Sequence, residues 1–283
     1  MDTRSRLPRV LIVAAFLVAG MLGSLPSTTR AQSQVVWFAD HEEASDVDWY
    51  YPGGLASGGG EFDSGCASPS GAGWAGSSFA LWDDDPNTPY PPAPPNGGNF
   101  GLLMVSVASC GGGQAAGTRM FRWAEPRAFD ELYYKVWYYI PQKYTLVGDP
   151  AWFFWNIFNW KSKTATQNDA FYAINIYNRP PTGNMYLRLY NWQTGTFPSR
   201  IPGTESLDVP VNQWFYIEAL YRSRGDSTGL VKVWQDGTLL WDVENVQTKY
   251  SGGVTEWSVN NYTSGLEPQP AYFFVDNAEI RTP

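Results

Sequence analysis

The chain has 283 residues and a formal net charge of −8, so the whole protein is expected to repel polyanions, and nucleic acid is not a predicted partner. Its only histidine is His41, which excludes a mechanism that needs a histidine pair, and we interpret it as structural. Two cysteines without further Cys or His partners exclude a zinc site.

Residues 1–31 have the layout of a secretory signal peptide, with cleavage predicted after Ala31. A basic start precedes the apolar run Val10–Leu22, which is shorter than the roughly 18–20 residues that span a bilayer. An uncleaved anchor is the alternative. We therefore predict a secreted, extracellular protein of residues 32–283 with a net charge of −11 and no stable membrane insertion after cleavage.

Short aromatic and β-branched runs alternate with Gly, Pro, Asn and Asp clusters, which predicts an all-β fold. Asp236-Gly237 is a strong hairpin signal. So many strands need two packed sheets, so we predict a single antiparallel β-sandwich, a jelly roll, acting as a monomer. Predicted strands lie at 133–140, 152–161, 171–177, 184–192, 214–222, 229–235, 238–243, 255–262 and 271–280.

Residues 50–118 are rich in turn-forming residues, and we predict long surface loops of the same domain there. This segment contains both cysteines, Cys66 and Cys110. Because an exported chain with two cysteines usually bridges them, we predict a disulfide between them.

Strand alternation sorts the side chains into faces. In the stretch beginning at Ala151, the face with Phe158 and Trp160 is predicted to be core, and Asn156 falls on it by alternation, while Asn159 and Lys161 are exposed. Aromatic rings beside hydrogen-bonding side chains are typical of sugar-binding surfaces. The alternative is a rigid aromatic core whose lysines extend their ammonium groups into solvent. The predicted substrate-binding residues are Arg188, Tyr186, Tyr190, Trp192, Lys135, Trp137 and Asn260.

Charge is unevenly distributed along the chain. The segment from Arg119 to Arg188 contains nine basic and five acidic residues, whereas the rest of the chain after residue 31 is strongly acidic. Such a local positive patch predicts an acidic polysaccharide as the partner. A solvated surface of mixed charge is the alternative.

The segment "QWFYIEALYRSRGDSTGLVKVWQDGTLLWDVENVQTKY" resembles the sheet-and-hairpin segment of concanavalin-A-like jelly rolls, especially the heparin-lyase-like polysaccharide lyases. "WFADHEEASDVDW" resembles their first strand and "FFVDNAEI" their last, so the resemblance runs from Trp37 to Ile280. Sugar-binding modules and laminin-G-like domains share the hairpin, so the resemblance is more specific for fold than for activity.

The resemblance implies a set of catalytic residues. Such lyases carry a Gln-x-His pair where this chain has Asn159-Trp160-Lys161, so the family histidine is missing; Arg119 and Tyr262 are placed like the family's arginine and tyrosine. We expect Asn159 and Arg119 to bind a uronate carboxylate and stabilise the enolate. Tyr262, with a pKa lowered by a nearby cation, is the expected base, and Lys161 is the alternative base.

The predicted activity is therefore β-elimination from a uronic-acid polysaccharide. The alternatives are a non-catalytic lectin-like protein and a glycoside hydrolase, for which Glu218 is the one acidic residue inside a central strand. No cofactor is required. The resemblance also implies a structural calcium ion held by Glu42, Glu43 and Asp276, with solvated surface charge as the alternative.

Overall fold

The structure is a computed structural model that describes residues 33–42, 61–66, 77–82, 94–95, 97–105, 115–123, 129–148 and 153–283. The chain divides into two compact units, Met1–Gln32 and Ser33–Pro283. The predicted signal peptide, Glu43 and Cys110 lie outside the described residues, and for Cys66 only the backbone is described. The signal peptide and the disulfide therefore stay predictions. No helix in the described ranges is long and apolar enough to cross a membrane.

The described residues form sixteen β-strands, and all nine predicted strands are among them. The strands predicted at 214–222 and 229–235 have the predicted bounds, and the other seven have shifted ends. The strands are β1 (Val35–Ala39), β2 (Glu61–Cys66), β3 (Ser77–Trp82), β4 (Phe100–Val105), β5 (Ala116–Trp123), β6 (Glu131–Tyr139), β7 (Thr145–Leu146), β8 (Trp155–Lys163), β9 (Asn168–Arg179), β10 (Asn184–Asn191), β11 (Trp214–Arg222), β12 (Gly229–Gln235), β13 (Thr238–Val246), β14 (Val254–Thr263), β15 (Leu266–Glu267) and β16 (Ala271–Arg281).

Fourteen of these strands form two antiparallel sheets. The eight-stranded sheet has the order β13-β12-β11-β6-β16-β4-β3, with β1 also paired to β16. The six-stranded sheet has the order β10-β9-β8-β14-β5-β2. Strands far apart in sequence are neighbours in both sheets, so the first and last parts of the chain close the same domain. The predicted two-sheet antiparallel sandwich is confirmed.

Aromatic side chains from both sheets fill the space between them. Trp160 of the six-stranded sheet stacks on Tyr221 of the other with ring centroids 4.5 Å apart, and Trp257 lies 5.3 Å from Tyr134. All four rings are buried. Large rings in one continuous core bury much apolar area and hold the two sheets in a fixed relation.

The prediction of loops throughout residues 50–118 is wrong in part. Three strands, β2, β3 and β4, lie inside that range, and β5 begins there. β2 and β3 are the outermost of the described strands in their sheets. Because residues 50–118 are rich in turn-forming residues, the sequence pattern does not predict these short strands.

A bulge in β8 also corrects the predicted faces. Asn156 pairs with Asn175 of β9 and Phe158 with Ile174, so Ile157 is an extra residue on β8. Ile157 and Phe158 therefore both belong to the core. Asn156 turns to the same outer face as Asn159, contrary to the simple alternation that placed it in the core.

Candidate functional site

The outer face of the six-stranded sheet, which we call the amide face, carries a row of aligned polar residues. Arg188 on β10 lies opposite Asn175 on β9, which lies opposite Asn156 on β8, and Asn156 lies opposite Tyr262 on β14. Three strand spacings separate the ends of this row, or about 14 Å. The row runs across the strands and has the length of a short oligosaccharide.

Hydrogen bonds join the middle of this row into a network. Arg119 Nε donates to Asn260 Oδ1 at 3.1 Å, and Asn260 Nδ2 donates to Asn156 Oδ1. Asn156 Nδ2 in turn donates to Asn175 Oδ1 at 2.9 Å. The three asparagines are between 0% and 6% exposed. Buried amides that satisfy one another form a rigid base, and this base fixes the guanidinium of Arg119.

Tyr262 lies beside Arg119 at one end of the row. Its ring packs 4.8 Å from the Phe154 ring, and the Arg119 guanidinium lies 5.7 Å from its centroid. It sits directly over Gly117, where a Cβ would approach the ring to 2.4 Å, so only glycine permits this packing. Burial raises the pKa of Tyr262, and the lowering effect of Arg119 is smaller. The expected lowering of this pKa is wrong because desolvation of the phenolate outweighs one nearby cation.

Asn159 and Lys161 lie on the same face but farther along the strands. Asn159 is opposite Ser258, and Lys161 is opposite Glu256. Asn159 Oδ1 and Ser258 Oγ are buried and have no hydrogen-bond partner among the described residues. Glu256 and Tyr262 are six positions apart on β14, or about 20 Å at the rise of a strand. Lys161 and Tyr262 therefore cannot act on the same sugar ring.

The edge strand β10 supplies the aromatic end of the amide face. Tyr190 packs against Trp192 with centroids 5.0 Å apart, and Trp192 is exposed. Arg188 lies 3.5 Å from the centre of the Phe197 ring and 4.9 Å from that of Tyr177. The structure places the predicted residues Tyr186, Arg188, Tyr190 and Trp192 together here.

Lys135 and Trp137 do not join this group. Both lie on β6 in the eight-stranded sheet, on its outer face, where Lys135 sits 4.8 Å from the Tyr216 ring centre. The two sheets turn their outer faces in opposite directions, so Lys135 and Trp137 cannot line the same surface as Arg188 and Tyr190, with which they are predicted to bind substrate. Glu218 also lies on this face, bound to Arg281 Nη2 at 2.9 Å.

Sequence reasoning missed Asn156 and Asn175 as members of the site. Alternation alone predicts Asn156 in the core because it takes no account of a bulge. One signal was present in the sequence: an asparagine inside an otherwise aromatic run, "FFWNIFNW", is costly to bury without partners. Asn175 in "YAINIYN" carries the same signal.

Two of the three residues proposed for calcium are described. Asp276 is buried, with Oδ1 bound to His41 Nδ1 at 3.5 Å and Oδ2 accepting from Asn277 Nδ2. Glu42 accepts a hydrogen bond from the Asn99 backbone N–H at 3.0 Å. Burial raises the pKa of Asp276, with a smaller contribution from Glu42. Both oxygens of Asp276 already have protein partners, and Glu43 lies outside the described residues, so the calcium site stays a prediction.

No family model matches the chain, and no curated protein matches it. Among solved structures, a marine PL-14 alginate lyase from Aplysia kurodai is similar with a TM-score of 0.51 and 11% identity, over 88% of this chain and 100% of that one. An endo-β-1,4-glucuronan lyase from Trichoderma reesei gives a TM-score of 0.49 and 14% identity over 79% and 95% of the two chains.

A third similar structure is domain 4 of an extracellular GH43 arabinanase from Geobacillus stearothermophilus, with a TM-score of 0.44 and 14% identity over 88% of this chain and 92% of that one. At sequence identities of 11% to 14%, structural similarity shows a shared fold and nothing more. Together with the two-sheet architecture, the likeness to the PL-14 alginate lyase confirms the predicted jelly-roll fold.

Proposed function

We propose that this protein is a lyase that cleaves a uronic-acid-containing polysaccharide by β-elimination. The observation that carries the proposal is the pairing of Arg119 and Tyr262 above the buried network of Asn260, Asn156 and Asn175. A cation fixed beside a phenol on an otherwise amide-lined face suits a substrate that carries a carboxylate next to an acidic C–H group.

The chemistry needs two events on one sugar. A base removes the C5 proton while the carboxylate takes up the developing negative charge, and the C4–O4 bond then breaks to leave a C4=C5 double bond. Arg119 pairs with the carboxylate and stabilises the enolate, because a charged hydrogen bond strengthens as the oxygens become more negative. Asn260 and Asn156 act as positioning residues that hold Arg119.

Tyr262 is the proposed proton carrier. As phenolate it accepts the C5 proton, and as phenol it returns that proton to the leaving O4, so no further acid is needed. Because burial raises its pKa, phenolate is scarce near neutral pH. The reaction is therefore expected to speed up as the pH rises toward the pKa of Tyr262.

Asn159 and Lys161 have a different role in this proposal. Asn159 lies opposite Ser258, four positions from Tyr262 on β14 and therefore about 13 Å away. We assign its unsatisfied Oδ1, with Ser258 Oγ, to the hydroxyl groups of a neighbouring sugar. Lys161, farther along, is assigned to binding the polysaccharide and not to catalysis.

The proposal places the protein outside the cell, where acidic polysaccharides occur. Its support is the signal-like sequence of residues 1–31. Expression of the full chain, followed by detection of a product beginning at Gln32 in the medium, tests this part. Retention of the uncleaved chain with the cells would contradict it.

The direct test incubates residues 32–283 with alginate, with glucuronan and with a carboxyl-reduced form of each. A lyase releases unsaturated ends that absorb ultraviolet light, and only from the uronate forms. New reducing ends without that absorbance would identify a hydrolase and contradict the proposal. Tyr262→Phe is the matched control, because it keeps the ring and removes only the hydroxyl.

A non-catalytic sugar-binding protein is the second candidate function. The raised pKa of Tyr262 and the absence of a histidine from the family motif favour it. It predicts binding of the same polysaccharides without unsaturated product at any pH, and equal affinity for Tyr262→Phe and the wild type.

A further inference from the structure

A cavity of about 420 Å³ opens at the β10 end of the amide face. Tyr186, Phe197 and Trp241 contribute its aromatic walls. Three arginines and a single carboxylate, that of Glu205, also line it. The arginines are Arg179, Arg188 and Arg200. Such an excess of cations in an aromatic cavity is a feature that the fold itself does not require.

Arg200 is fixed in the cavity wall. Its guanidinium donates to the carbonyl oxygens of Thr204 at 2.7 Å, Leu207 at 3.2 Å and Leu187 at 2.9 Å. Its Nε is buried without an acceptor among the described residues. Burial, and then the charge of Arg179, lower the pKa of Arg200 to about 10. The guanidinium groups of Arg179 and Arg200 therefore repel each other in this cavity.

Arg179 and Arg188 complete the set. The Arg179 guanidinium lies 4.6 Å from the centre of the Tyr186 ring. Its Nε donates a hydrogen bond to Asp208 Oδ1 at 3.3 Å. Its Nη2 is buried and has no acceptor in the described part of the chain. Arg188 contacts the rings of Tyr177 and Phe197, and no described carboxylate pairs with it. A bound anion would supply an acceptor for the Arg179 Nη2 group and a countercharge for Arg188.

We propose that this cavity is an anchoring subsite that binds the carboxylate of one uronic acid residue through Arg179 and Arg188, with that sugar stacked on Tyr186 or Phe197. Arg200 shapes the cavity and adds to its positive potential. Arg188 also ends the polar row, about 14 Å from Tyr262. The anchored sugar is thus a few residues along the polymer from the one that is cleaved.

This inference rests on the proposed function for its choice of ligand, and it concerns different residues from those of the chemistry. It makes a prediction about length: an oligouronide must reach from Tyr262 to the cavity to gain the extra affinity. Shorter fragments occupy only one end of the row and bind weakly.

The test compares wild type, Arg188→Gln, Arg179→Gln and the control Lys232→Gln, whose lysine lies on the outer face of the other sheet. Calorimetric titration uses a glucuronan hexasaccharide, its carboxyl-reduced form and a disaccharide. We expect Arg188→Gln to weaken hexasaccharide binding by roughly ten- to a hundredfold, as for a lost charged hydrogen bond. Binding of the reduced form and the disaccharide should not change.

Because Arg179 has an ion pair with Asp208, its variant is interpreted only if its melting temperature stays near that of the wild type. Among the described residues Arg188 has no such pair, so Arg188→Gln keeps the test decisive. Equal hexasaccharide affinity in wild type and Arg188→Gln would overturn the subsite, and so would equal wild-type affinity for the acidic and the reduced forms.

Kinetics separate the subsite from the lyase proposal. With an active wild type, Arg188→Gln should raise KM for long substrates with little change in kcat, and an unchanged KM refutes the subsite alone. If wild type makes no unsaturated product yet binds the hexasaccharide in an Arg188-dependent way, the lyase proposal fails and the subsite stands.

Discussion

The outer faces of the two sheets use their charged groups in different ways. On the eight-stranded sheet, Lys232 pairs with Asp242 at 2.8 Å and Arg281 pairs with Glu218 at 2.9 Å. On the amide face, Arg119 is held by an amide and Arg188 by rings. The cations of these two pairs are already balanced by carboxylates, whereas Arg119 and Arg188 are held by neutral groups, and no carboxylate of the described residues pairs with either.

This difference indicates which face is built for a ligand. A cation that already has a carboxylate gains little from a second anion, and an exposed pair of this kind contributes only about 0–1 kcal/mol to stability. A cation fixed by neutral groups keeps its full charge for an incoming carboxylate. Substitutions on the two faces, a pH profile and a chelator test that contrast.

Tyr262→Phe should have the largest effect on activity. Loss of the hydroxyl removes the proposed proton carrier and should lower kcat by about 10²–10⁴-fold, the usual contribution of general acid–base catalysis. Binding of an oligouronide should stay nearly intact because the ring remains against Gly117 and Phe154. Steady-state kinetics with calorimetric binding measures both quantities. Undiminished activity would remove Tyr262 from the mechanism.

Asn156→Leu should be the most destabilising change on the amide face. The leucine removes the partner of two buried side-chain amide atoms, Oδ1 of Asn175 and Nδ2 of Asn260. We expect the free energy of unfolding to fall by about 1–3 kcal/mol, the cost of buried unsatisfied groups. Denaturant unfolding measures this change. A neutral result would mean that the amide network does not stabilise this face.

The pH dependence tests the state of the phenol. Because burial raises the pKa of Tyr262 and the phenolate is the reactive form, kcat/KM should rise about tenfold per pH unit on the acid side of that pKa. A pH–rate profile on a uronate polymer measures it. An activity that falls as the pH rises through the neutral range would contradict Tyr262 as the base.

Lys232→Met provides the matched change on the other sheet. Its ammonium pairs with Asp242 and Glu244, and its side chain is 24% exposed, so solvent screens the pairs. We expect a loss of less than about 1 kcal/mol in unfolding free energy and no change in sugar affinity. A loss of affinity comparable to that of Arg188→Gln would remove the contrast between the faces.

The smallest expected effect is that of a chelator. Since His41 and Asn277 already occupy the oxygens of Asp276, removal of calcium should shift the melting temperature by less than about 2 °C. Differential scanning calorimetry with and without chelator measures the shift. A fall of several degrees, restored by calcium, would instead support the calcium site that the family resemblance implies.

Local patterns in the sequence predict the fold class and nine of the described strands, because alternation and turn residues depend only on near neighbours in the chain. The Asp236-Gly237 turn lies between β12 and β13 as predicted. Alternation also placed Arg188, Asn260 and Tyr262 on the faces opposite to the core residues of their strands. These properties depend on neighbours in the chain, so they can be read without a structure.

Which strands are neighbours, and in what register they pair, depends on contacts between distant parts of the chain. The bulge at Ile157 turned Asn156 outward, and sheet membership separated Lys135 from the amide face. Register also placed Lys161 about 20 Å from Tyr262. The cavity arginines come from β9, β10 and the following loop, and their approach depends on long-range packing that no local pattern encodes.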